Sequence, residues 1–313
     1  MAPPLSTSEA RVVDPILTNH ARGYIHPNRV AHLLFPHIPV TVRGGRRIEF
    51  NKESFKLYQT LRAPGADRKK VQFGFLGKKF ALEQHNLVGL LPTEVRQEAA
   101  VVPGIDMGRQ AVESVQDIIS LGKEHQAATL ARDAATYDAN HKVTLAGTDQ
   151  WDDPASDPKA DVKVAREAIR GSIGMEPNTM ILGPKVYRHL DDHPKLLEKF
   201  KYTSSESVTT AMLARYFDIE KVEVGKAIYA DDNDDFVDVW GLDVVLAFVA
   251  PQGAQRQQAP SYGYTYQLQG HPAVAPAEWE KDNKSWEWDV TDEYSPEVVG
   301  AEAGFLIQSA VSG

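Results

Sequence analysis

A long helical pattern between Ile105 and Tyr137 constrains this chain more than any other feature. Apolar residues recur there at intervals of three and four, and small ones continue the pattern. They are Val112, Val115, Ile118, Ile119, Gly122, Ala127, Ala128, Ala131, Ala134 and Ala135. A Pro-Gly pair at 103–104 interrupts the chain before it, Asp106 can cap its first turn and Asn140 can end it. A helix of about 30 residues is about 45 Å long, so the pattern predicts a structural strut.

Composition excludes several classes of protein. The chain has 313 residues, which suits one large domain or two smaller ones. It contains no run of 18 apolar residues, so we predict no membrane-spanning segment. Residues 1–10 are polar and contain proline, unlike a signal peptide. The absence of cysteine excludes disulfides, cysteine-ligated metals and a cysteine nucleophile.

The charges are unevenly distributed along the chain. There are 34 basic and 43 acidic residues, a net charge of −9, which does not suit a sequence-specific nucleic-acid binder. Basic residues cluster between 43 and 79, and acidic ones are dense between Asp231 and Asp238. Two interpretations remain open: two separate solvated surfaces, or complementary charge between copies of the chain, with the basic segment of one on an acidic surface of the next.

The first 39 residues are predicted to form an extended arm. Six prolines exclude a continuous helix or a central strand. The segment nevertheless carries large apolar side chains that need to be covered: Ile16, Leu17, Tyr24, Ile25, Leu33, Leu34, Phe35 and Ile38. An apolar arm without its own core is expected to lie on the rest of the chain or on a neighbouring subunit.

Residues 40–91 are predicted to form a long β-excursion. Alternating apolar residues occur near Ile48 and Phe50 and again near Val71 and Phe73, and residues 62–67 have the composition of a loop tip. One interpretation is a projecting hairpin that packs on another subunit, because an isolated hairpin is only marginally stable. The other is an edge of the central sheet.

A compact α/β region and a returning β-region follow the long helix. Asp157 and Pro158 predict a helix start, Gly174 predicts its end, and 179–182 predicts a short strand. Period-2 patterns with one aromatic face occur at 262–266 and 286–290, and 305–307 forms a final apolar strand. We expect these last strands to form one sheet beside the long helix.

The sequence carries no strong catalytic motif. It lacks a Walker-type phosphate loop, G-x-G-x-x-G, G-x-S-x-G and H-E-x-x-H. His189 and His193 have a spacing that allows two metal ligands on one helical face, but Pro194 follows directly and disfavours helical geometry there. We interpret them as a surface pair at a helix end.

Two further patterns have a structural and a functional interpretation. Residues 231–235 resemble the start of a calcium loop, but Phe236 replaces its glycine and Leu242 its final glutamate, so we predict an exposed acidic turn. The tyrosines at 262, 264 and 266 could stack bases, but no arginines are interleaved with them. Packing against the long helix is the preferred interpretation.

The order of arm, hairpin, long helix, α/β region and returning strands resembles the major capsid proteins of tailed double-stranded DNA bacteriophages. Local stretches strengthen the resemblance. Arg62-Ala-Pro-Gly-Ala-Asp67, Val71-Gln-Phe-Gly74 and Ala81-Leu-Glu-Gln-His85 look like the extended loop of that family. Thr148-Asp-Gln-Trp-Asp-Asp-Pro154 and Pro177-Asn-Thr-Met-Ile-Leu-Gly-Pro184 look like the entry to its axial domain and a strand within it.

The resemblance implies an α+β capsid fold and a domain organisation. The expected parts are an arm at 1–42, an extended loop at 43–91, a peripheral domain at 92–149 and 261–313 with a spine helix at 105–137, and an axial domain at 150–260. The implied function is self-assembly into hexamers and pentamers of an icosahedral shell around phage DNA. It implies no catalytic, cofactor-binding or metal-binding residue, and hence no enzyme.

The resemblance also implies partners and contact residues. The partners are portal proteins, a separate scaffolding protein, a possible decoration protein and non-specifically contacted double-stranded DNA, without a membrane. The expected location is the virion, after assembly in the cytoplasm of the bacterial host. The arm and loop residues expected to contact other subunits are Tyr24, Phe35, Arg46, Arg47, Phe50, Arg62, Pro64, Gly65, Asp67 and Phe73.

Two alternatives stay open at this point. One is a nanocompartment shell protein of the same fold that encloses a cargo enzyme. The other is a cytosolic α/β hydrolase, which would need a pocket with convergent polar groups and perturbed titratable residues. No such set of residues is visible in the sequence.

Overall fold

The computed structural model describes residues 13–46, 79–99, 106–200, 208–251 and 261–313. Within these ranges the helices α1–α8 are Pro15–Gly23, Ala31–Leu34, Thr93–Ala99, Met107–Arg132, Pro158–Ile173, Pro184–Asp191, Pro194–Phe200 and Thr210–Phe217. The strands β1–β15 are His37–Val40, Gly44–Arg46, Lys79–Ala81, Glu83–Pro92, Lys142–Thr144, Thr179–Leu182, Lys221–Val224, Ile228–Ala230, Phe236–Asp238, Val244–Ala247, Gly263–Leu268, Ala273–Val274, Glu278–Glu280, Ser285–Val298 and Gly304–Gln308. This confirms the predicted α+β class.

The long helix α4 is the longest in the described residues, at 26 residues. The Asp106 side chain caps it by accepting from the Arg109 amide, as predicted. The predicted end near Tyr137 is wrong, because the helix stops at Arg132. Asp133 leaves the helical conformation, and its carboxylate caps a separate 3-10 turn by accepting from the Ala135 amide.

The two halves of α4 pack against different cores. Val112, Val115 and Ile119 contact the six-stranded sheet through a cluster that includes Trp288 and Val290. The small residues of the second half allow close packing within the larger core, where Ala127, Ala128 and Ala131 are at most 1% exposed. The helix therefore bridges the two cores, as the strut interpretation requires.

The six-stranded sheet combines strands from both ends of the described chain. Its order is β1-β11-β14-β12, with β4 and β13 also paired to β14. β1 pairs in parallel with β11, and β4 pairs antiparallel with β14 over its whole length. The segment predicted as an extended loop, 43–91, therefore includes a strand of this sheet.

The five-stranded sheet has the order β5-β15-β10-β6-β7 and forms the larger core. β6 and β10 are buried on both faces, which explains their continuous apolar sequences. The expectation that the last strand lies in one sheet with 262–266 and 286–290 is wrong, because β15 pairs with β10 and β5. Phe305, Leu306 and Ile307 are all buried, so both faces of this strand are apolar and covered. Such a strand suits the centre of a sheet.

Helix α5 covers the five-stranded sheet and has the predicted ends. Asp157 accepts from the Ala160 amide, Pro158 occupies the first turn, and Gly174 adopts a left-handed conformation with φ of 70°. The buried face of this helix carries Val162, Ala165, Ile169 and Ile173. No helix in the described residues is long and apolar enough to cross a membrane.

Candidate assembly surface

The predicted contact residues fall mostly outside the described part of the chain. Seven of them lie there: Arg47, Phe50, Arg62, Pro64, Gly65, Asp67 and Phe73. The described ones are Tyr24, Phe35 and Arg46. Tyr24 and Phe35 lie between α1 and β1, a stretch that packs on α4 and the six-stranded sheet, and Arg46 ends β2, which pairs with β3.

Phe35 belongs to the chain's own core. Its side chain is fully buried, and its ring lies 5.5 Å from that of Tyr262. Its carbonyl accepts a hydrogen bond from the Thr265 hydroxyl, and Gly263 leaves the space that the ring fills. The structure thus corrects the expectation for Phe35, whose ring is covered by its own chain rather than free for another subunit.

Tyr24 and Arg46 have different surroundings. Tyr24 follows α1 and is half-buried at the rim of a cavity, and burial together with the nearby Asp117 carboxylate raises the pKa of its hydroxyl. Arg46 is exposed at the end of β2, where it pairs in register with Lys79 of β3. Their expected contacts with other subunits stay predictions.

The base of the predicted hairpin is attached to the six-stranded sheet. β2 and β3 pair antiparallel, so that the residues before and after 47–78 leave from one point. Phe80 stacks on Tyr266 with ring centroids 4.5 Å apart. Arg43 donates two hydrogen bonds, of 2.7 and 2.9 Å, to the buried carboxylate of Glu293. This guanidinium lowers the pKa of Glu293, so the pair is charged at neutral pH.

A buried carboxylate joins the arm, the long helix and the α/β region. Glu124 of α4 accepts hydrogen bonds from the amides of Val30 and Ala31, at 3.1 and 2.9 Å. It also accepts from the indole nitrogen of Trp240 at 2.7 Å. Burial raises its pKa, and these three donors oppose that shift. One side chain therefore connects three segments that are distant in sequence.

A cavity of about 300 Å³ lies between the arm, α4 and the six-stranded sheet. His37 lines it with a solvent-exposed side chain, and the surrounding protein together with the Lys123 ammonium lowers the pKa of this imidazole to about 4. Lys123 itself is 2.9 Å from the buried Asp292 carboxylate, which also accepts from Gln267 at 2.7 Å. Among the described residues that line the cavity, Gln116 has a buried Nε2 atom without a hydrogen-bond partner, and no nucleophile lies beside a base.

The predicted histidine pair does not come together as a site. His189 is exposed and His193 is buried. The Nδ1 atom of His193 is 3.3 Å from the Lys195 amide, which donates to it, so Nε2 carries the proton toward the Ser156 hydroxyl at 3.2 Å. In that tautomer the imidazole cannot take a proton from the serine. Within the described ranges, no three metal-ligating side chains converge.

The acidic and tyrosine patterns also have structural roles. The Asp231 carboxylate accepts from the amides of Asn233 and Asp235, which shapes the turn between β8 and β9. Tyr264 and Tyr262 are at most 2% exposed, so they offer no stacking platform to a nucleic acid. The predicted packing against the long helix holds only in part. Tyr262 lies in the larger core that it shares with α4, whereas Tyr264 lies in a separate cluster beside Phe80.

The sequence is similar to known proteins over almost its whole length. The family model described as "Phage major capsid protein E" matches residues 110–292. A curated major capsid protein from Burkholderia phage BcepMu is 37% identical over 310 residues, which cover 98% of this chain and 99% of that protein. The chain belongs to the phage major capsid protein family. A solved phage-related protein from Bordetella bronchiseptica RB50 is 45% identical to this capsid protein, with a TM-score of 0.83 over 96% of this chain and 98% of that one.

More distant structures share the fold of the capsid protein. The mature capsid of bacteriophage PhiM1 has a TM-score of 0.52 at 13% identity, over 91% of this chain and 88% of that one. An encapsulin from Synechococcus elongatus has a TM-score of 0.54 at 12% identity, over 91% of this chain and 88% of that one. These likenesses confirm the predicted capsid fold class.

Sequence reasoning missed the two buried carboxylates that connect segments of the capsid protein. Glu124 lies on the face of α4 that carries Ala127, Ala128 and Ala131, so its helical position indicates burial, but no local pattern identifies its partners. Glu293 follows Asp292 in a strand, and this acidic pair interrupts an apolar alternation. Both positions could have been noticed in the sequence, because a charged residue at an inward position requires a partner.

Proposed function

We propose that this capsid protein self-assembles into hexamers and pentamers that close an icosahedral phage head around double-stranded DNA. The near full-length match to a phage major capsid protein, at 37% identity, carries the proposal. Self-assembly of a shell is a structural role, and it requires no catalytic residue.

The paired hairpin base supports assembly through residues 47–78. The strands on either side of this segment, β2 and β3, already form hydrogen bonds with each other. A segment of 32 residues that leaves and returns at one point has a large apolar content to cover. A neighbouring subunit can cover it, and a closed shell requires that one surface meets several slightly different neighbours.

The contact residues and domains of this proposal follow the family pattern. Half-buried Tyr24 of the arm and exposed Arg46 of the hairpin base would contact other subunits. The contacts from the loop would be made by Arg47, Phe50, Arg62, Pro64, Gly65, Asp67 and Phe73. The proposed units are an arm at 1–42, a loop at 43–91, a peripheral domain at 92–149 and 261–313, and an axial domain at 150–260.

The proposed partners are those of a phage head. A separate scaffolding protein, a portal and, in some heads, a decoration protein would contact the shell. Packaged DNA would be contacted non-specifically, and a net charge of −9 suits a container that releases its genome. Assembly would take place in the cytoplasm of the bacterial host, and the mature location would be the virion.

Negative-stain microscopy of the purified protein, expressed with and without its genomic neighbours, tests the proposal. We expect closed shells, tubes or ring-shaped capsomers, and nuclease-resistant double-stranded DNA in particles from infected cells. Monomers or dimers under all conditions would refute shell assembly. Particles that contain a cargo enzyme instead of DNA would point to a nanocompartment.

A further inference from the structure

The small hairpin of β8 and β9 exposes one face that nothing in the described chain covers. Tyr229 on its other face packs edge-on against His125 of α4, with ring centroids 4.7 Å apart. Because opposite residues share a face, Ile228 and Phe236 lie together on the side away from Tyr229. Phe236 is 78% exposed and Ile228 is 47% exposed. Together they form a small apolar patch that the described residues leave uncovered.

The same hairpin is strongly acidic. Residues 226–238 contain one lysine and five aspartates, a net charge of −4. Asp232 and Asp235 are exposed beside Phe236, and Asp231 holds the turn through its own backbone contacts. The surface therefore combines an apolar centre with a negative rim, and it suits a partner that is apolar and positively charged.

One segment of this chain has that chemistry. Residues 47–78 contain eight basic and three acidic residues, a net charge of +5, together with four phenylalanines and one tyrosine. Both ends of the segment are held at the hairpin base of β2 and β3. A chain that runs out and back over 32 residues reaches at most about 55 Å from that base. This exceeds the roughly 39 Å length of the 26-residue helix α4.

We infer that the β8–β9 hairpin is the docking surface for the basic segment 47–78 of a second copy of the chain. The inference rests on the proposed assembly and adds the surface that receives the segment. Phe236 and Ile228 form the apolar centre, and Asp232 and Asp235 pair with lysines and arginines of the incoming segment. Opposite charges determine how the segment is aligned on the hairpin, and the apolar contacts stabilise the bound segment.

Charge reversal in matched variants tests the inference. We expect Asp232→Lys/Asp235→Lys to lower the yield of particles about tenfold, and Lys69→Glu/Lys70→Glu to do the same, because each places like charges in contact. A combined variant that carries all four changes restores particles, since the hairpin and the segment of every copy are then complementary again. Glu278→Lys/Asp282→Lys, which makes the same charge change at another exposed turn, is the control and retains its yield.

Several outcomes of this experiment would overturn the inference. These are a wild-type yield from the hairpin variant, a loss no larger than that of the control, or a combined variant that still forms no particles. Circular dichroism and the melting temperature of each variant establish that the loss is not a loss of folding. If the wild-type chain forms no particles, the proposed function fails, and that result is distinct from a variant-specific loss.

Crosslinking identifies which copy supplies the segment. The chain has no cysteine, so Asp232→Cys introduces a unique thiol. A maleimide–succinimide crosslinker is applied to particles assembled from a mixture of ¹⁴N- and ¹⁵N-labelled protein, and linked peptides are identified by mass spectrometry. We expect links to lysines of 47–78 in mixed-isotope pairs. Links only within one isotope, or only to lysines outside this segment, would refute docking between copies.

Discussion

At the scale of single residues, Glu124 shows how one buried carboxylate connects distant parts of the capsid protein. It is 2% exposed and accepts from two amides of the arm and from the Trp240 indole. The donors are fixed by their own segments and cannot turn to water. The side chain therefore stabilises the arm against the long helix because each donor would otherwise be buried without an acceptor.

We predict that Glu124→Ala lowers the free energy of unfolding by about 3 kcal/mol or more, because it leaves three buried donors without an acceptor. Denaturation by urea, followed by tryptophan fluorescence, measures the loss. The control is Glu113→Ala on the same helix, where a partly exposed carboxylate pairs with His20 and Arg109 and is expected to contribute at most about 1 kcal/mol. Equal losses in the two variants would contradict the assigned role.

His37 predicts a pH dependence with a defined sign. Its pKa in the folded chain is lowered from the ordinary value of 6.5 to about 4, because the surrounding protein and the nearby Lys123 disfavour the charged imidazole. The unfolded chain therefore binds more protons between these values, and the contribution of His37 to stability is lost as the pH falls from 6.5 to 4. The side chain is solvent-exposed, so screening by water keeps the effect on stability small. We expect the difference in unfolding free energy between wild type and His37→Gln to change across this window. A difference that is constant from pH 7 to pH 4 would contradict the prediction.

Residues of this kind mark the limit of sequence reasoning. Caps could be predicted at Asp106, Asp157 and Gly174 because their partners lie within four residues along the chain. The partners of Glu124 are 94 and 116 positions away, and no local pattern encodes them. Phe35 was assigned to another subunit because its apolar segment lacks a local core, whereas distant strands provide one.

At the scale of elements, the junction between β6 and α6 depends on the absence of a side chain. The backbone of Gly183 lies against the carbonyl of Gly241, so that a Cβ atom at 183 would collide with the main chain between β9 and β10. Gly241 itself has a positive φ of 52° and faces the Arg132 guanidinium. The atoms that a Cβ at 183 would meet belong to the main chain of Gly241 and Trp240, so relief of the collision requires movement of the backbone.

We predict that Gly183→Ala lowers the free energy of unfolding by about 2 kcal/mol or more, through overpacking at this junction. Gly171→Ala is the matched control, because Gly171 lies in the exposed part of α5 with nothing within 4 Å of its Cβ position. That variant is expected to gain about 0.5–1 kcal/mol from the lower entropy of its unfolded chain. Thermal melts of both proteins measure the two changes, and a neutral Gly183→Ala would refute the collision.

The elements themselves were largely predictable, and their pairing was not. Alternation and continuous apolar runs indicated the strands at 179–182 and 305–307. Periodicity does not specify a partner, however, and the last strand joins β10 and β5 instead of the tyrosine-bearing strand β11. The end of α4 was missed because alanines at 134 and 135 continue its pattern, although Asp133 already caps the next turn.

At the scale of the whole molecule, the hairpin base separates the fold from the proposed assembly. Arg46 and Lys79 face each other in register at the ends of β2 and β3. Their geometry allows a two-residue turn to close the hairpin without residues 47–78. The contacts of the described cores, including those of Phe80 and Glu293, do not depend on that segment.

We predict that replacement of residues 47–78 by Asn-Gly leaves the melting temperature within about 4 °C of the wild type, since the hairpin base keeps its contacts. The same variant is expected to form no shells, because it lacks the segment that reaches a second copy. Scanning calorimetry and negative-stain microscopy measure the two properties. Normal shells from the shortened chain would contradict the proposed role of the segment, and a collapsed melting temperature would contradict the independence of the fold.

The pairing of early and late segments also sets the order of events during synthesis. Phe35 packs on Tyr262, β1 pairs with β11, and the five-stranded sheet needs residues 304–308 between β5 and β10. At about 5–20 residues per second, the ribosome needs roughly 15–55 s to pass from residue 35 to residue 305. For most of that interval Phe35 and β1 lack Tyr262 and β11, although α4 already offers Glu124 to the arm. Chaperones therefore have an extended time in which to bind the uncovered apolar side chains before subunits can meet.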